Sequence, residues 1–274
     1  MQLPRLSDIY IYPVKSLTGI RVEQWPVTAN GLLYDRHWML VDAQQQFLSQ
    51  RRSPRMTLIS TALTETQLII SAPGMEDLCL GLQEHSGEVL DVQIWHDLCK
   101  AQVVSEQADR WFSQFLDTDC RLVFQPENGI RPVDPRYANP NDQTSFSDGF
   151  PFLIIAENSL VALNAALPFP IGMVRFRPNL VIENCAAYEE DTWREISING
   201  IHFRLPKPCA RCPVPTIDLL TAEYGKEPLK TLSRLRKWEN KVYFGQNALH
   251  DSVGTLHTQA DVTVIQTGAH QPPL

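Results

Sequence analysis

The sequence predicts a mainly β chain made of two β-rich units with a few covering helices. Three observations carry that reading. Short β-rich runs separated by turn residues fill the first hundred positions, one amphipathic helical pattern closes them, and a stretch dense in Pro, Asn, Asp and Gly separates them from a second series of strands.

In chain order, strands are expected at Asp8–Val14, Ile20–Thr28, His37–Asp42, Thr57–Leu63, Gln67–Ser71 and Val89–Trp95, a spacing that suggests an antiparallel barrel or sandwich. Glu106 to Leu116 places Ala108, Trp111, Phe112, Phe115 and Leu116 on one helical face behind a Ser105 cap. After a strand at Arg121–Phe124, the segment Pro126–Gly149 is a long loop of the kind that is functional or a linker. Beyond it PFLIIA reads as a buried strand, SLVALNAAL as a short helix, and PNLVIEN and REISI as strands. Asn199-Gly200 is a two-residue hairpin turn feeding IHFRL. Pro228 opens a second helical stretch with Leu229, Leu232, Leu235 and Trp238 at helical spacing, and DVTVIQT supplies the last strand.

At 274 residues, with 43% hydrophobic and 20% charged residues, the chain can build a core without disulfides or metals. The balance of 24 Lys+Arg against 31 Asp+Glu, net -7, argues against broad binding to nucleic acid or an anionic membrane and leaves room for a local basic pocket. The longest apolar run, Phe150–Ala156, is far short of the roughly 20 residues that span a bilayer, and the start lacks a signal-peptide core, so a cytoplasmic location is expected.

Six cysteines are present, four of them scattered singly among apolar residues as buried small hydrophobes would be. Cys209 and Cys212 alone form a pair, in PKPCARCPVPT. A thiolate is both a strong nucleophile and a soft metal ligand, but a structural zinc site wants four ligands and no second pair exists. Pro206, Pro208, Pro213 and Pro215 make the segment an extended loop, so the pair reads equally as functional thiols or as ordinary loop thiols. Arg211 between them would lower a neighbouring thiol's pKa if it points the same way. In VRFRPNLV, Arg175 and Arg177 share one face of an expected strand with Asn179 following on the same parity, which suits a phosphate or carboxylate clamp or a solvated edge. Lys15-Ser16 at a strand end, and Arg36 beside Asp35, carry the same two readings: anion contacts, or a solvated turn and a salt bridge. Arg51, Arg52 and Arg55 add positive charge, Ser147-Asp148 favours a local turn, and the histidines show no metal-ligand spacing.

The order of these clusters resembles the MOSC superfamily, and within it the two-domain group of the bacterial YcbX-type proteins and the mitochondrial amidoxime-reducing components. The matching segments are YPVKS, YDRHWMLVD, SQRRSPRM, SFSDGFPFLI, SLVALN, RFRPNLV, CARCPVPTID, KEPLKTL and FGQN, in family order over nearly the whole chain. The resemblance implies an N-terminal β-barrel-like domain over 1–120 packed on a MOSC β-barrel domain over 121–274, with a molybdenum cofactor (Mo-molybdopterin) between them. It makes Cys212 the molybdenum ligand and the catalytic position. Lys15, Ser16 and Arg36 match cofactor-contacting positions of the first domain, Ser147, Asp148, Arg177 and Asn179 those of the second, with Arg51 and Arg211 as neighbours.

The implied reaction is reduction of small N-hydroxylated compounds, such as hydroxylamino bases or amidoximes. No C-x4-C-x2-C follows FGQN, so no iron–sulfur cluster is expected in this chain and electrons would come from a separate ferredoxin, flavodoxin or flavoprotein reductase. Pyridoxal phosphate binding is not expected. The alternatives are a MOSC protein that carries sulfur as a persulfide on Cys212, one that carries the molybdenum cofactor without turnover, or a protein with no cofactor and inert cysteines.

Overall fold

The computed structural model describes residues 3–126 and 129–273. One large sheet dominates it, running in the order Val262–Thr267, Trp193–Ile198, Ile201–Ala210, Lys241–His250, Phe152–Ala156, Leu180–Glu183, Arg5–Ile11, Ile20–Val22, with the short strand Lys237–Trp238 paired to Lys241–His250. Its two ends meet. Arg5 bridges Asp261, and the Leu6 amide donates to the Ala260 carbonyl, so the sheet curls into a barrel-like wall. Phe152, Ile154, Leu180, Ile182, Trp193, Ile196 and Phe203 fill its inside together with Leu6, Ile9 and Ile11 from the start of the chain.

The strand Phe152–Ala156 is apolar at every position because both of its faces are covered. Phe152 and Ile154 point into the barrel, whereas Leu153 and Ile155 pack outward against Leu163, Phe176, Leu232 and Phe244. The residues that supply this outer layer include those of helices α2 (Glu157–Ala166) and α3 (Leu229–Leu235), α1 being Glu106–Leu116. For α1 the local signals agree: the Ser105 side chain caps the Ala108 amide at 3.4 Å, Asp117 leaves the helix in the left-handed conformation, and the five expected apolar residues are buried.

The rest of the first unit is a sheet ordered Trp38–Val41, Arg121–Phe124, Asp97–Val103, Val89–Ile94 and a meander of Ser60–Leu63, Gln67–Ser71 and Leu78–Gly81. A small fourth sheet joins Gly254–His257 to Gln24–Thr28 and Gly31–Leu32. Early strands are thus woven into sheets formed by late ones.

Several expectations need correction. Arg175 and Arg177 do not share a strand face: Met173–Phe176 is a 3-10 turn, Arg177 is left-handed at φ 57°, and the strand begins at Leu180. Turning there buries the Phe176 ring against Phe244, 4.3 Å between centroids, and Pro178 has no amide to give a ladder. The prolines around Cys209 do not make a free loop either. The strand continues through Pro206 and Pro208 to Ala210, with register shifts where the missing amides fall. Trp238 lies in a strand and not on α3, and the expected Thr57 strand start is a 3-10 turn, Pro54–Leu58. Strands at Leu78–Gly81, Asp97–Val103, Lys241–His250 and Gly254–His257 were not anticipated. The Asn199-Gly200 turn has both residues at positive φ, as a type I′ hairpin requires.

Candidate functional site

One cleft collects all ten of the residues that the family resemblance assigns to the cofactor: Lys15, Ser16, Arg36, Arg51, Ser147, Asp148, Arg177, Asn179, Arg211 and Cys212. It encloses about 890 Å³, part of it open to solvent. Turns and strand ends deliver them, from six separate places in the chain. That is where backbone is free to aim side chains away from a ladder.

Lys15 is almost fully buried, and its Nζ donates to the Phe146 carbonyl at 2.8 Å and to Asp148 Oδ1 at 2.6 Å. Burial pulls its pKa down to about 8 against the opposing pull of Asp148. Partial desolvation disfavours the Asp148 charge, but the Lys15 ammonium outweighs it, with Arg51 3.5 Å away, and holds the carboxyl below its usual range.

Arg36 and Arg177 both lie over the buried Tyr12 ring, 4.3 and 4.2 Å from its centroid. Arg36 pairs with Asp35 and donates to Asn179 Oδ1 at 3.0 Å; Arg177 donates to the Leu17 carbonyl at 2.5 Å. Burial lowers the Arg177 pKa to about 10, which leaves it charged at neutral pH. A glycine at position 19 leaves room for this arrangement, since a Cβ there would collide with the Tyr12 ring.

On the second unit's wall, Arg211 donates to the Phe176 carbonyl at 2.7 Å and to Cys209 Sγ at 3.2 Å, while its Nε is buried without a hydrogen-bond partner. Cys212 is half-buried in the same cleft. Asn179 and Ser147 are differently employed. The Asn179 amide oxygen takes the Leu153 amide as well as Arg36, its Nδ2 donates to the Tyr10 carbonyl, and the Ser147 hydroxyl is committed to Phe150 and Thr144. Both line the cleft as fasteners of its wall.

Lys15, Arg36, Arg51, Arg177 and Arg211 therefore face one space with Asp148 as the carboxylate among its described lining residues, and a thiol at another part of the wall. Such a set suits an anion that also presents a soft metal centre. Sequence reasoning missed Tyr12, although it lies in the YPVKS segment, and also Arg131, Phe47 and Trp95, whose partners are distant in the chain. Arg175, by contrast, is drawn to Asp218 at 3.0 Å.

Residues 3–119 match the MOSC N-terminal beta barrel domain and residues 141–268 the MOSC domain. The chain is 32% identical over 273 residues to the human mitochondrial amidoxime-reducing component 1, an alignment covering 93% of this chain and 81% of that protein. It is 34% identical over 245 residues to the human mitochondrial amidoxime reducing component 2, covering 86% and 73%. Human molybdenum cofactor sulfurase is 31% identical over 269 residues, with 90% of this chain aligned to 30% of that longer protein. On these matches and on its barrel-like sheets, the chain belongs to the MOSC family and carries both the MOSC N-terminal beta barrel domain and the MOSC domain.

Proposed function

We propose that the chain is a molybdenum-cofactor-dependent oxidoreductase that reduces N-hydroxylated compounds, hydroxylamino bases or amidoximes, with electrons from a separate donor protein such as a ferredoxin, flavodoxin or flavoprotein reductase. In this reading the chain has two halves, 1–120 and 121–274, with the strand Arg121–Phe124 of the second paired into the sheet of the first. The observation that carries it is the convergence of five cationic side chains and the Cys212 thiol on one cleft. The names of its relatives point the same way: two are amidoxime-reducing components, one a molybdenum cofactor sulfurase.

The residues fit a molybdopterin, an anionic phosphate joined to a dithiolene that brings its own metal. One thiol alone is a poor metal site, so a metal at Cys212 needs such a chelating partner. The buried Arg211 Nε also lacks an acceptor that a bound group would supply. In this reading Lys15, Arg36, Arg51 and Arg177 hold the phosphate-bearing end, Cys212 ligates molybdenum, and Asn179, Ser147 and Asp35 keep the holders in place. When bound, the cofactor supplies the two-electron oxygen-atom chemistry. The overall change is balanced as R–NHOH plus two electrons and two protons giving R–NH2 and water. The chain's part is orientation and charge: its arginines present planar donor forks, and the Lys15 Nζ donates to Asp148 and to the Phe146 carbonyl. We place the protein in a reducing compartment such as the cytoplasm, where Cys212 stays available; all six cysteines are free in the structure.

A second reading, favoured by the sulfurase relative, is a carrier that holds sulfur on Cys212 or delivers the cofactor without turnover. Metal and pterin analysis of protein from a host that makes molybdenum cofactor, with Cys212→Ser alongside, is the first test. Near-stoichiometric molybdenum in the wild type and its loss in a folded Cys212→Ser protein are expected. A fully loaded, active Cys212→Ser protein would overturn the ligand assignment, and absence of molybdenum and pterin from both would overturn the cofactor reading. Turnover of an amidoxime with a dithionite-reduced viologen separates the enzyme from the carrier, which has none.

A further inference from the structure

Arg131 lies in the long loop before the Phe152 strand and is 3% exposed as a side chain, yet neither the family motifs nor the cleft lining includes it. Its side chain joins two segments that flank the site. Its Nε and Nη2 donate to Asp97 Oδ2 at 3.0 and 2.7 Å, and its Nη1 donates to the Ser145 and Ser147 carbonyls at 3.0 and 2.6 Å. The segment Ser145–Asp148 belongs to no sheet or helix, so two of its carbonyls depend on this guanidinium. That segment presents the Phe146 carbonyl and the Asp148 carboxylate to Lys15. Asp97, at the other end, sits two residues beyond Trp95 at the tip of the hairpin formed by Val89–Ile94 and Asp97–Val103. Trp95 is left-handed at φ 56°, carries Arg51 over its ring at 4.4 Å and lies 3.4 Å from Asp148 through its Nε1. A strained aromatic residue held at a cleft rim needs its surroundings to fix it.

We propose that Arg131 is a positioning residue of the site: through Asp97 and the two carbonyls it locks the Ser145–Asp148 segment of one wall to the Trp95 hairpin tip of the other. It thereby sets the Asp148–Lys15–Arg51 charge arrangement that faces the ligand. The proposal rests on the reading of the cleft as an anion-binding cofactor site. A planar fork is what this geometry uses, since one group reaches a carboxylate and two carbonyls at once.

The test uses Arg131→Met and Asp97→Asn. The latter changes a half-exposed carboxylate, 51% exposed, and leaves an amide oxygen at the same place to accept from Arg131. Amide hydrogen exchange of peptides spanning Ser145–Asp148, binding of inorganic pyrophosphate to the cofactor-free protein by calorimetry, and molybdenum content of the loaded protein are read together, with the melting temperature as control. Exchange in that segment about tenfold faster than wild type, with α1 unchanged, and pyrophosphate binding about tenfold weaker are expected for Arg131→Met, and the same direction with smaller size for Asp97→Asn. Unchanged exchange in both variants overturns the lock, whatever the cleft binds. Faster exchange with unchanged pyrophosphate affinity and molybdenum content overturns its role in the site. A wild type that takes up neither pyrophosphate nor molybdenum overturns the cofactor reading, and the exchange result then decides the lock alone.

Discussion

At the scale of single residues, Lys15 carries the clearest pH consequence. Burial lowers its pKa to about 8, so the ammonium predominates at neutral pH and is lost as pH rises through that value. A bound anion favours the protonated form, so linkage makes anion binding weaken progressively above about pH 8. Sulfate, whose own charge does not change there, is the suitable probe. Its affinity is expected to fall severalfold between neutral pH and about pH 9, and Lys15→Gln to bind more weakly with that step removed. A wild-type affinity that is flat across the interval would refute the assignment of Lys15 to the anion. Local pattern left Lys15, Arg36 and Arg177 open between anion contacts and a solvated turn, edge or salt bridge; the order of the family motifs is what singled them out with Arg51 and Arg211, and all five line one cleft. Tyr12, Asp35 and Arg131 were not legible in the same way. Beyond the Asp35–Arg36 salt bridge that adjacency suggests, their roles come through partners distant in sequence: Asp35 Oδ1 accepts the Tyr12 amide, and Arg131 reaches back to Asp97.

At the scale of elements, the 3-10 turn Glu189–Thr192 holds two buried carboxylates side by side. Asp191 is met by Arg236 and by Gln246 Nε2 at 2.7 Å. Glu190 has the Ala156 amide at 3.2 Å and the Ser159 hydroxyl at 2.8 Å, and burial, reinforced by Asp191, pushes its pKa up to about 7. Between the ordinary glutamate value and about 7 the folded protein keeps a proton that the unfolded chain has lost, so this group makes stability fall as pH rises through that window. The cost above it is on the order of 3 kcal/mol. Glu190→Gln is therefore expected to gain in melting temperature relative to wild type as pH goes from about 5 to about 8, by roughly 5 °C or more. A difference independent of pH would show that the carboxyl is not held protonated. The elements most easily read from sequence, α1 and the strand Gln67–Ser71, are those whose local pattern and tertiary burial agree. The strand Lys241–His250 hid because its Gly245 breaks the pattern, for a reason visible only in the packing. A Cβ there would stand 2.6 Å from Ile155 Cγ1 and 2.9 Å from the Ile154 carbonyl.

At the scale of the whole molecule, the two matched domains are not two independent folding units. Arg5–Ile11 is hydrogen-bonded to Leu180–Glu183, and Gln24–Thr28 to Gly254–His257. Leu6, Ile9, Ile11, Val27 and Leu32 are buried in the core of the large barrel-like sheet. At about 1.5–3 kcal/mol for each buried aliphatic side chain, removing those five withdraws on the order of 10 kcal/mol, comparable with the entire stability of an ordinary domain. The site at the seam depends on the same interleaving, because the strand that closes the barrel runs directly into Tyr12 and Lys15. A fragment comprising residues 121–274 is accordingly expected to lack a cooperative thermal transition and to retain no molybdenum, and to recover the transition when a peptide of residues 3–34 is supplied. Near-ultraviolet circular dichroism and a melting curve of the fragment, with and without the peptide, decide it. A fragment that melts cooperatively alone would mean that the shared strands are an attachment to the second unit and not part of its core.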